Sequence, residues 1–270
     1  MAVHTGKVKI SFVAERVLRR IVLAVFLLMW PVLGINVAAQ DAAPAISTAP
    51  LPLDTVVDNL VRKNEERSRN LLHSRATRVY HLSYRGFPGD REAEMTVEAV
   101  YDSPATKTFK ITSESGSKII LERVFRKLLE GEQEAELPEM NSRTQLNRDN
   151  YEFALGGYDS SSNEYELAVT PKSKSKYVYR GRIWVDGADF AVTRIEAEPA
   201  KNPSFWTKRS EIRQRYVKIA NFWLPARNES TSYIRLGGRA VLTIDYKNYQ
   251  LYDAQQGPPL VSENGAGSDQ

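Results

Sequence analysis

The stretch YRGRIWVDGADFAVTRIEAEP, from Tyr179 to Pro199, alternates large apolar and charged residues on both sides of an Asp-Gly turn. Alternation with a period of two is typical of strands with one buried and one solvated face, and Asp-Gly is a frequent hairpin turn. The stretch holds no histidine, serine or cysteine that would point to a nucleophile, a general base or a metal ligand. It therefore predicts an antiparallel hairpin whose apolar face is its functional feature.

Similar strand patterns occupy most of the chain around this hairpin. Three strands are predicted before residue 117, and the last seven are joined mostly by short turns such as Ala220-Asn221 and Gly237-Gly238, which tolerate the positive φ of tight hairpins. The predicted strands run over residues 77–85, 95–101, 106–113, 151–155, 165–169, 177–186, 190–198, 208–219, 222–235 and 239–249.

Two helices interrupt the strands, at Leu53–Ser74 and Ser117–Glu130, each with an apolar stripe at helical spacing. Strand twist accumulates across a sheet, so about ten antiparallel strands curl, and the helices are expected to pack on the concave face. The predicted fold is mainly β (α+β), a half-open antiparallel β-barrel of about ten strands with helices covering the concave face.

The ends of the chain differ in composition from this domain. Residues 1–39 show the basic, apolar and small-residue order of a secretory signal peptide, with an uncleaved membrane anchor as the alternative. Residues 40–52 form an Ala/Pro-rich linker, residues 53–252 one domain, and residues 253–270 a polar tail predicted to be disordered. The domain is thus expected in the periplasm, or anchored to the inner membrane.

Charge and cysteine usage exclude several classes of function. The net charge of +4 comes from the leader, because five basic residues and one acidic residue lie within residues 1–39. The rest of the chain is balanced and lacks the basic surface of a nucleic-acid binder. The chain has no cysteine, so it has neither a disulfide nor an acylated N-terminal cysteine.

No residue pattern indicates catalysis. Without cysteine, a zinc site would need His73, His81 and a carboxylate, and this spacing matches no metal motif. Asp186 and Asp189 resemble paired carboxylates, but both flank a turn, where aspartate is common. We expect no metal, no cofactor and no enzymatic activity, with an uncharacterised hydrolase as an open alternative.

One locally basic strand, TKRSEIRQRYVK (Thr207–Lys218), places three arginines on a single face. Such a face contacts anionic lipid headgroups or an acidic partner, or it is simply a solvated, salt-bridged outer surface. The candidates for headgroup or partner contact are Arg209, Arg213 and Arg215.

The C-terminal half, Tyr177–Leu251, resembles the LolA-like superfamily of outer-membrane lipoprotein-sorting proteins. The resemblance rests on Gly181–Asp186 leading into a hairpin, on Phe222-Trp223-Leu224-Pro225 opening a long strand, and on a closing strand with Tyr246 and Tyr249. It implies an unclosed barrel capped by helices, with a hydrophobic cavity that takes acyl chains. The carriers of this family have a characteristic cavity arginine, and no residue of Thr77–Ser113 matches its motif.

The resulting hypothesis is a non-enzymatic, monomeric envelope carrier that binds lipid or lipoprotein acyl chains, with a role in lipoprotein sorting and an inner- or outer-membrane protein as a further partner. The alternative is an envelope sensor or scaffold that binds a protein through the same fold. Each buried methylene contributes roughly 0.8 kcal/mol, so a ligand with two or three acyl chains can be held without any catalytic group. The predicted cavity wall consists of Leu82, Tyr84, Val97, Phe109, Ile111, Ile183, Val185 and Ile195. The predicted lid consists of Ile120, Val124 and Leu128.

Overall fold

The computed structural model describes residues 50–103, 106–135, 137–202, 205, 207–235, 237–253 and 260–261. The predicted signal peptide and most of the linker and tail lie outside the described residues. Among the helices that the structure describes, none combines the length and apolar character needed to cross a bilayer.

The described chain forms helices and strands in nearly the predicted order. The helices are α1 (Leu53–Asn70), α2 and α3 (Pro138–Thr144), where α2 joins an α-helical turn (Lys118–Ile120), a π-helical turn (Leu121–Phe125) and an α-helix (Arg126–Ala135). The strands are β1 (Leu71–Gly86), β2 (Arg91–Asp102), β3 (Thr106–Gly116), β4 (Tyr151–Asp159), β5 (Glu164–Pro171), β6 (Tyr179–Asp186), β7 (Val192–Pro199), β8 (Thr207–Ile219), β9 (Phe222–Ile234), β10 (Gly238–Asp253) and β11 (Leu260–Val261).

All the strand pairs are antiparallel and belong to one sheet. Its order is β3-β2-β1-β10-β9-β8-β7-β6-β5-β4, with β11 paired to β10 alone. The β3 and β4 strands lie at the two ends of this order, so the sheet is open. The prediction of a mainly β, half-open antiparallel fold of about ten strands is confirmed.

The boundary between α1 and β1 differs from the prediction. The sequence predicts a helix to Ser74, but the structure ends it at Asn70, and Leu71 already has extended backbone angles. From Leu71 onward the chain pairs with β10, which is longer than predicted and runs to Asp253. Strand pairing therefore overrides the local helical pattern, and Leu71 is buried in the sheet rather than on a helical stripe.

Two connections also differ from the prediction. The loop between β6 and β7 is longer than an Asp-Gly hairpin, because the backbone amide of Phe190 donates to the carbonyl of Asp186 and β7 begins only at Val192. At the C-terminus, Leu260–Val261 pairs with β10 within the segment predicted to be disordered. The tight turn at Ala220-Asn221 is confirmed, with Ile219 and Phe222 paired across it and a φ of 52° at Ala220.

Gly116 ends β3 and directs the chain toward α2. Its φ is +91°, and a Cβ atom there would lie 2.4 Å from the carbonyl oxygen of Glu92 and 2.7 Å from the Cα atom of Ala93. These are backbone atoms of the neighbouring strand, so they cannot move aside easily. The next residue, Ser117, donates its backbone amide to the same Glu92 oxygen over 2.7 Å. Only glycine fits this crossing point.

We therefore predict that Gly116→Ala lowers the free energy of unfolding by about 3 kcal/mol, because it adds both backbone strain and a steric clash. Urea denaturation followed by circular dichroism measures the change. The matched control is Gly157→Ala, since a Cβ atom at Gly157 meets no atom within 4 Å. It should change stability by less than about 1 kcal/mol. Equal effects of the two substitutions would contradict the assignment.

Candidate functional site

The predicted wall residues share one face of the sheet, and the strand register shows how. Residues directly opposite each other on paired strands point to the same side, so one row of pairs defines the face across the sheet. From β4 to β2 this row contains Leu155, Leu167, Ile183, Ile195, Gln214, Asn228, Ile244, Tyr80 and Met95. We call this side, on which α1 and α2 pack, the inner face. The remaining wall candidates also lie on the inner face. Each is an even number of residues from a row member along its strand, or it pairs with such a residue on the neighbouring strand.

Two separate apolar clusters divide the inner face. The first apolar cluster combines β1, β2, β9 and β10 with α2; it holds Leu82, Tyr84 and Val97 beside Ile120, Val124 and Leu128, and Phe109 and Ile111 pack against it. The second apolar cluster combines β4 to β7 with α1, and it holds Ile183, Val185 and Ile195 beside Val56, Val57 and Leu60. The predicted single wall is thus shared between two clusters, each covered by its own helix.

A buried polar strip, the polar seam, lies between the two clusters on β8 and β9. Its members are Ser210, Gln214, Asn228, Ser230 and Ser232, all at most 6% exposed. The register pairs Ser210 with Ser232 and Gln214 with Asn228. Only the outward arginines of β8 were predicted from the sequence, and these inward residues were not. The available signal was that Ser210 and Gln214 lie two residues before and after the apolar Ile212, and therefore on the same side of β8.

Two hydrogen bonds bridge the strands within the polar seam. The hydroxyl oxygens of Ser210 and Ser232 are 2.9 Å apart, and the amide Nδ2 of Asn228 donates to Oε1 of Gln214 over 2.6 Å. Two buried atoms, Oδ1 of Asn228 and Oγ of Ser230, have no hydrogen-bond partner in the described structure. Buried polar atoms without a partner are uncommon in folded proteins.

A buried charged cluster fixes the end of α2 to the sheet. Nη1 of Arg78 lies 2.8 Å from both carboxylate oxygens of Glu132, and Nζ of Lys107 lies 3.1 Å from Oε1. The guanidinium of Arg78 also stacks between the rings of Phe109 and Tyr246, 5.4 and 5.3 Å from their centroids. The inner face therefore contacts α2 through a charged anchor as well as through apolar side chains.

Electrostatics keep this cluster ionised. Burial opposes the charge of Glu132, but the Arg78 and Lys107 cations outweigh it and hold the pKa of Glu132 below its ordinary value. Burial likewise opposes the charge of Arg78, and Glu132 reverses that effect and raises its pKa. The helix predicted from the sequence ends at Glu130, so Glu132 was not predicted to face the sheet. The available signal was its position four residues after Leu128, which continues the buried stripe.

The C-terminal end of α1 is fixed to the β6–β7 loop. Nη2 of Arg67 donates to the carbonyl of Phe190 over 2.9 Å. In that loop, Oδ1 of Asp186 accepts the backbone amides of Ala188 and Asp189. Oδ2 of Asp189 lies 2.7 Å from Nε1 of Trp223 and 2.6 Å from Nζ of Lys218. The two aspartates therefore have the structural roles expected of turn residues.

The outer face of the sheet carries the three predicted contact arginines. Arg209 forms ion pairs with Glu198 and Glu211 at 3.1 and 3.3 Å, and Arg213 lies 3.9 Å from Glu229. Exposed pairs of this kind contribute little to stability. They show that arginine and glutamate side chains form ion pairs on the outer face. The contact of Arg209, Arg213 and Arg215 with lipid headgroups or an acidic partner stays a prediction.

The two histidines that the structure describes, His73 and His81, do not form one site. The ring of His73 contacts the carboxylate of Asp102, and His81 is exposed on β1. Within the described residues, no group of three or more histidine, aspartate or glutamate side chains is arranged to hold a metal ion.

No family model and no curated protein matches the chain. Solved structures do match it. A DUF1329 family protein from Desulfovibrio piger is 18% identical over 76% of this chain and 95% of its own, with a TM-score of 0.37. An outer membrane lipoprotein-sorting protein domain from Vibrio parahaemolyticus is 13% identical over 69% and 88%, with a TM-score of 0.32. A LolA superfamily protein from Nitrosomonas europaea is 11% identical over 76% and 95%, with a TM-score of 0.33.

Two of these structures are named for the superfamily that the C-terminal half resembles. At such identities and TM-scores the likeness says nothing of a ligand or an activity. Those conclusions have to come from the residues of the inner face.

The charged cluster makes stability depend on pH. Because the folded-state pKa of Glu132 lies below the unfolded value of 4.5, its contribution is complete above that value and is lost as the pH falls through the folded-state pKa. We predict that Glu132→Gln lowers the free energy of unfolding by about 3 kcal/mol at pH 7, since it leaves two buried cations without their partner. Urea denaturation at several pH values should show this difference shrinking below about pH 4.5.

The matched control is Glu130→Gln, two residues earlier on α2. Glu130 is exposed and contacts only Lys127 among the described residues, so its loss should cost less than about 1 kcal/mol at any pH. A pH-independent penalty for Glu132→Gln would show that lost packing, and not lost charge, is responsible.

Proposed function

We propose that this protein is a non-enzymatic envelope carrier that holds the acyl chains of a lipid or lipoprotein between the inner face and its covering helices. One observation carries the proposal: in the described part of the chain, the largely apolar inner face is covered by helices and not by further strands. Helices attached through side chains move without breaking the strand pairing of the sheet. The hairpin Tyr179–Pro199 supplies part of this face, so its alternation serves binding and not chemistry.

Helix α2 is the part suited to act as a gate. It covers the first apolar cluster with Ile120, Val124 and Leu128, and its second segment, Leu121–Phe125, is a π-helical turn, a local irregularity that is frequent at functional sites. If α2 moves away, the first apolar cluster is exposed to water, which costs a free energy of about 25 cal/mol per Å² of apolar surface exposed. An acyl chain that enters the same space removes that cost, so ligand and helix compete for one surface.

The charged cluster gives the gate a defined closed position. The contact of Glu132 with Arg78 and Lys107 has geometric requirements that apolar contacts lack, so α2 returns to one register when no ligand is present. Moving α2 separates buried charges, which raises the barrier to opening. The same cluster thus favours specific closure and slow exchange.

The inner face offers little for catalysis. Among the described residues, the buried side chains of Arg78, Lys107 and Glu132 contact one another, and Arg67 donates to Asn64 and to backbone carbonyls. This arrangement favours binding over the alternative of a hydrolase.

The second candidate, a sensor or scaffold for a protein partner, draws on the edge strand β4. In the described part of the chain β4 pairs with β5 alone, and Leu155 on β4 is 41% exposed. An open edge with an exposed apolar residue is suited to strand addition by another chain. This candidate differs from the first because it needs no ligand on the inner face.

The first test is the exchange of a fluorescent oleoyl lipid by the purified full chain after delipidation. We predict that wild type binds the lipid and that Glu132→Gln releases it at least about fivefold faster, since the closed position of α2 loses its anchor. Stopped-flow transfer to acceptor vesicles measures the rate, and Glu130→Gln, which leaves the anchor intact, should match wild type.

Mass spectrometry of the purified chain before delipidation complements the kinetics. Co-purified acyl lipids support the carrier. A chain that neither carries nor takes up acyl lipid, but captures an envelope protein through β4, would replace the carrier with the sensor. Equal release rates for the two glutamate variants would remove α2 as the gate.

A further inference from the structure

The polar seam lies in the middle of the inner face, where a binding surface for acyl chains would be expected to carry apolar side chains. On the register row, Gln214 and Asn228 stand between Ile195 of the second apolar cluster and Ile244 of the first. In the next row, Ser230 stands between Ile212 and Leu242. A ligand that reaches both clusters therefore has to cross polar side chains in its middle.

The seam satisfies only part of its own hydrogen-bonding capacity. Ser210 and Ser232 bond to each other, and Nδ2 of Asn228 donates to Gln214. Oδ1 of Asn228 and Oγ of Ser230 remain without a partner although their residues are 6% and 2% exposed. Leaving a buried polar atom unpaired costs about 1–3 kcal/mol. Two such atoms on neighbouring inward positions indicate a partner that the chain itself does not supply.

We propose that two residues of the polar seam, Asn228 and Ser230, form a hydrogen-bonding subsite for the glyceryl group of a two-chain acyl lipid. The hydroxyl of Ser230 donates to an ester carbonyl of the lipid, and Oδ1 of Asn228 accepts a hydrogen bond from a neighbouring lipid donor. One acyl chain then extends over each apolar cluster. The inference rests on the proposed carrier function and specifies which class of lipid the inner face holds.

The spacing and charge of the seam agree with this ligand. Inward residues two apart on a strand are about 7 Å apart, a distance that adjacent polar groups of a glyceryl ester span with two hydrogen bonds. The seam residues are uncharged, and the buried cations of the inner face, Arg78 and Lys107, already contact Glu132. Burying an ionised phosphate or carboxylate at the seam would be costly without a counter-charge. A neutral diacylglyceryl group avoids that cost.

Two kinds of lipid contain a neutral diacylglyceryl group with a hydrogen-bond donor next to it. Free diacylglycerol carries a hydroxyl, and a triacylated lipoprotein carries the amide N–H of its N-acylated cysteine. Both share the ester carbonyls that Ser230 addresses.

The test compares dioleoylglycerol with the corresponding dioleyl ether of glycerol, which keeps the chains and the hydroxyl but lacks the ester carbonyls. Each is delivered from cyclodextrin to the delipidated full chain and competes with a fluorescent oleoyl probe. We predict that wild type prefers the diester by about tenfold, because the diether leaves the Ser230 hydroxyl unpaired. Ser230→Ala should weaken diester binding to the level of the diether and leave diether binding unchanged.

Ser232→Ala is the matched control. Ser232 lies on the same face and is equally buried, but its hydroxyl already contacts Ser210. It should keep the preference for the diester while lowering the stability of the ligand-free chain. Ser230→Ala should not lower that stability, since the hydroxyl it removes has no partner. Thermal unfolding of both variants checks that each is folded.

The outcomes separate the subsite from the carrier function. Equal affinity of wild type for diester and diether, or an unchanged preference in Ser230→Ala, overturns the subsite while the carrier stands. Failure of wild type to bind either lipid overturns both.

Two further ligands distinguish the two sources of the glyceryl group: a triacylated cysteinyl peptide, and the O-methyl ether of dioleoylglycerol, which lacks the free hydroxyl. Tighter binding of the peptide than of dioleoylglycerol supports the lipoprotein, and loss of affinity on O-methylation supports the free glyceride.

Discussion

The register of ten antiparallel strands is the constraint on which the rest of the structure depends. Each strand sends alternate side chains to opposite sides, and the pairing keeps those sides aligned from β4 to β2. The result is a curved inner face too large and too apolar to be left in water. The strands cannot cover it themselves, because all of them are already part of the sheet. The chain therefore has to supply covering segments, and α1 and α2 fill that role.

The two covering helices are attached to the sheet in different ways. Helix α1 continues directly into β1, and Arg67 holds its C-terminal end to the β6–β7 loop. Helix α2 lies between β3 and α3 and reaches the sheet through apolar residues and the charged contact of Glu132 with Arg78. A buried ion pair adds little net stability but much positional selectivity. Such an anchor is suited to an element that leaves and returns.

The polar seam sets a second requirement on any ligand. Apolar clusters accept a hydrocarbon of almost any kind, because the hydrophobic effect has no direction. Buried hydroxyl and amide groups discriminate, because they cost free energy when left unpaired. In the proposed carrier, the inner face would thus combine general affinity on both sides with selectivity along its middle. The order of the strands produces this arrangement, since β8 and β9 lie centrally between the two helix-covered halves.

The sequence by itself determined the period-two alternation, most of the turns and the helical stripes, and with them most of the elements and which residues of one strand share a side. Those features are local, so the hairpin of Tyr179–Pro199 and the apolar residues of α2 were predictable from their own neighbours. Only the tertiary structure decided which inward residues meet. Arg78 and Glu132 are 54 positions apart, and Asn228 faces Gln214 through the register of β8 and β9. Such contacts depend on the order and pairing of strands that are distant in the sequence. This pairing competes with local conformational preference, and at Leu71 it overrides the local preference for a helix.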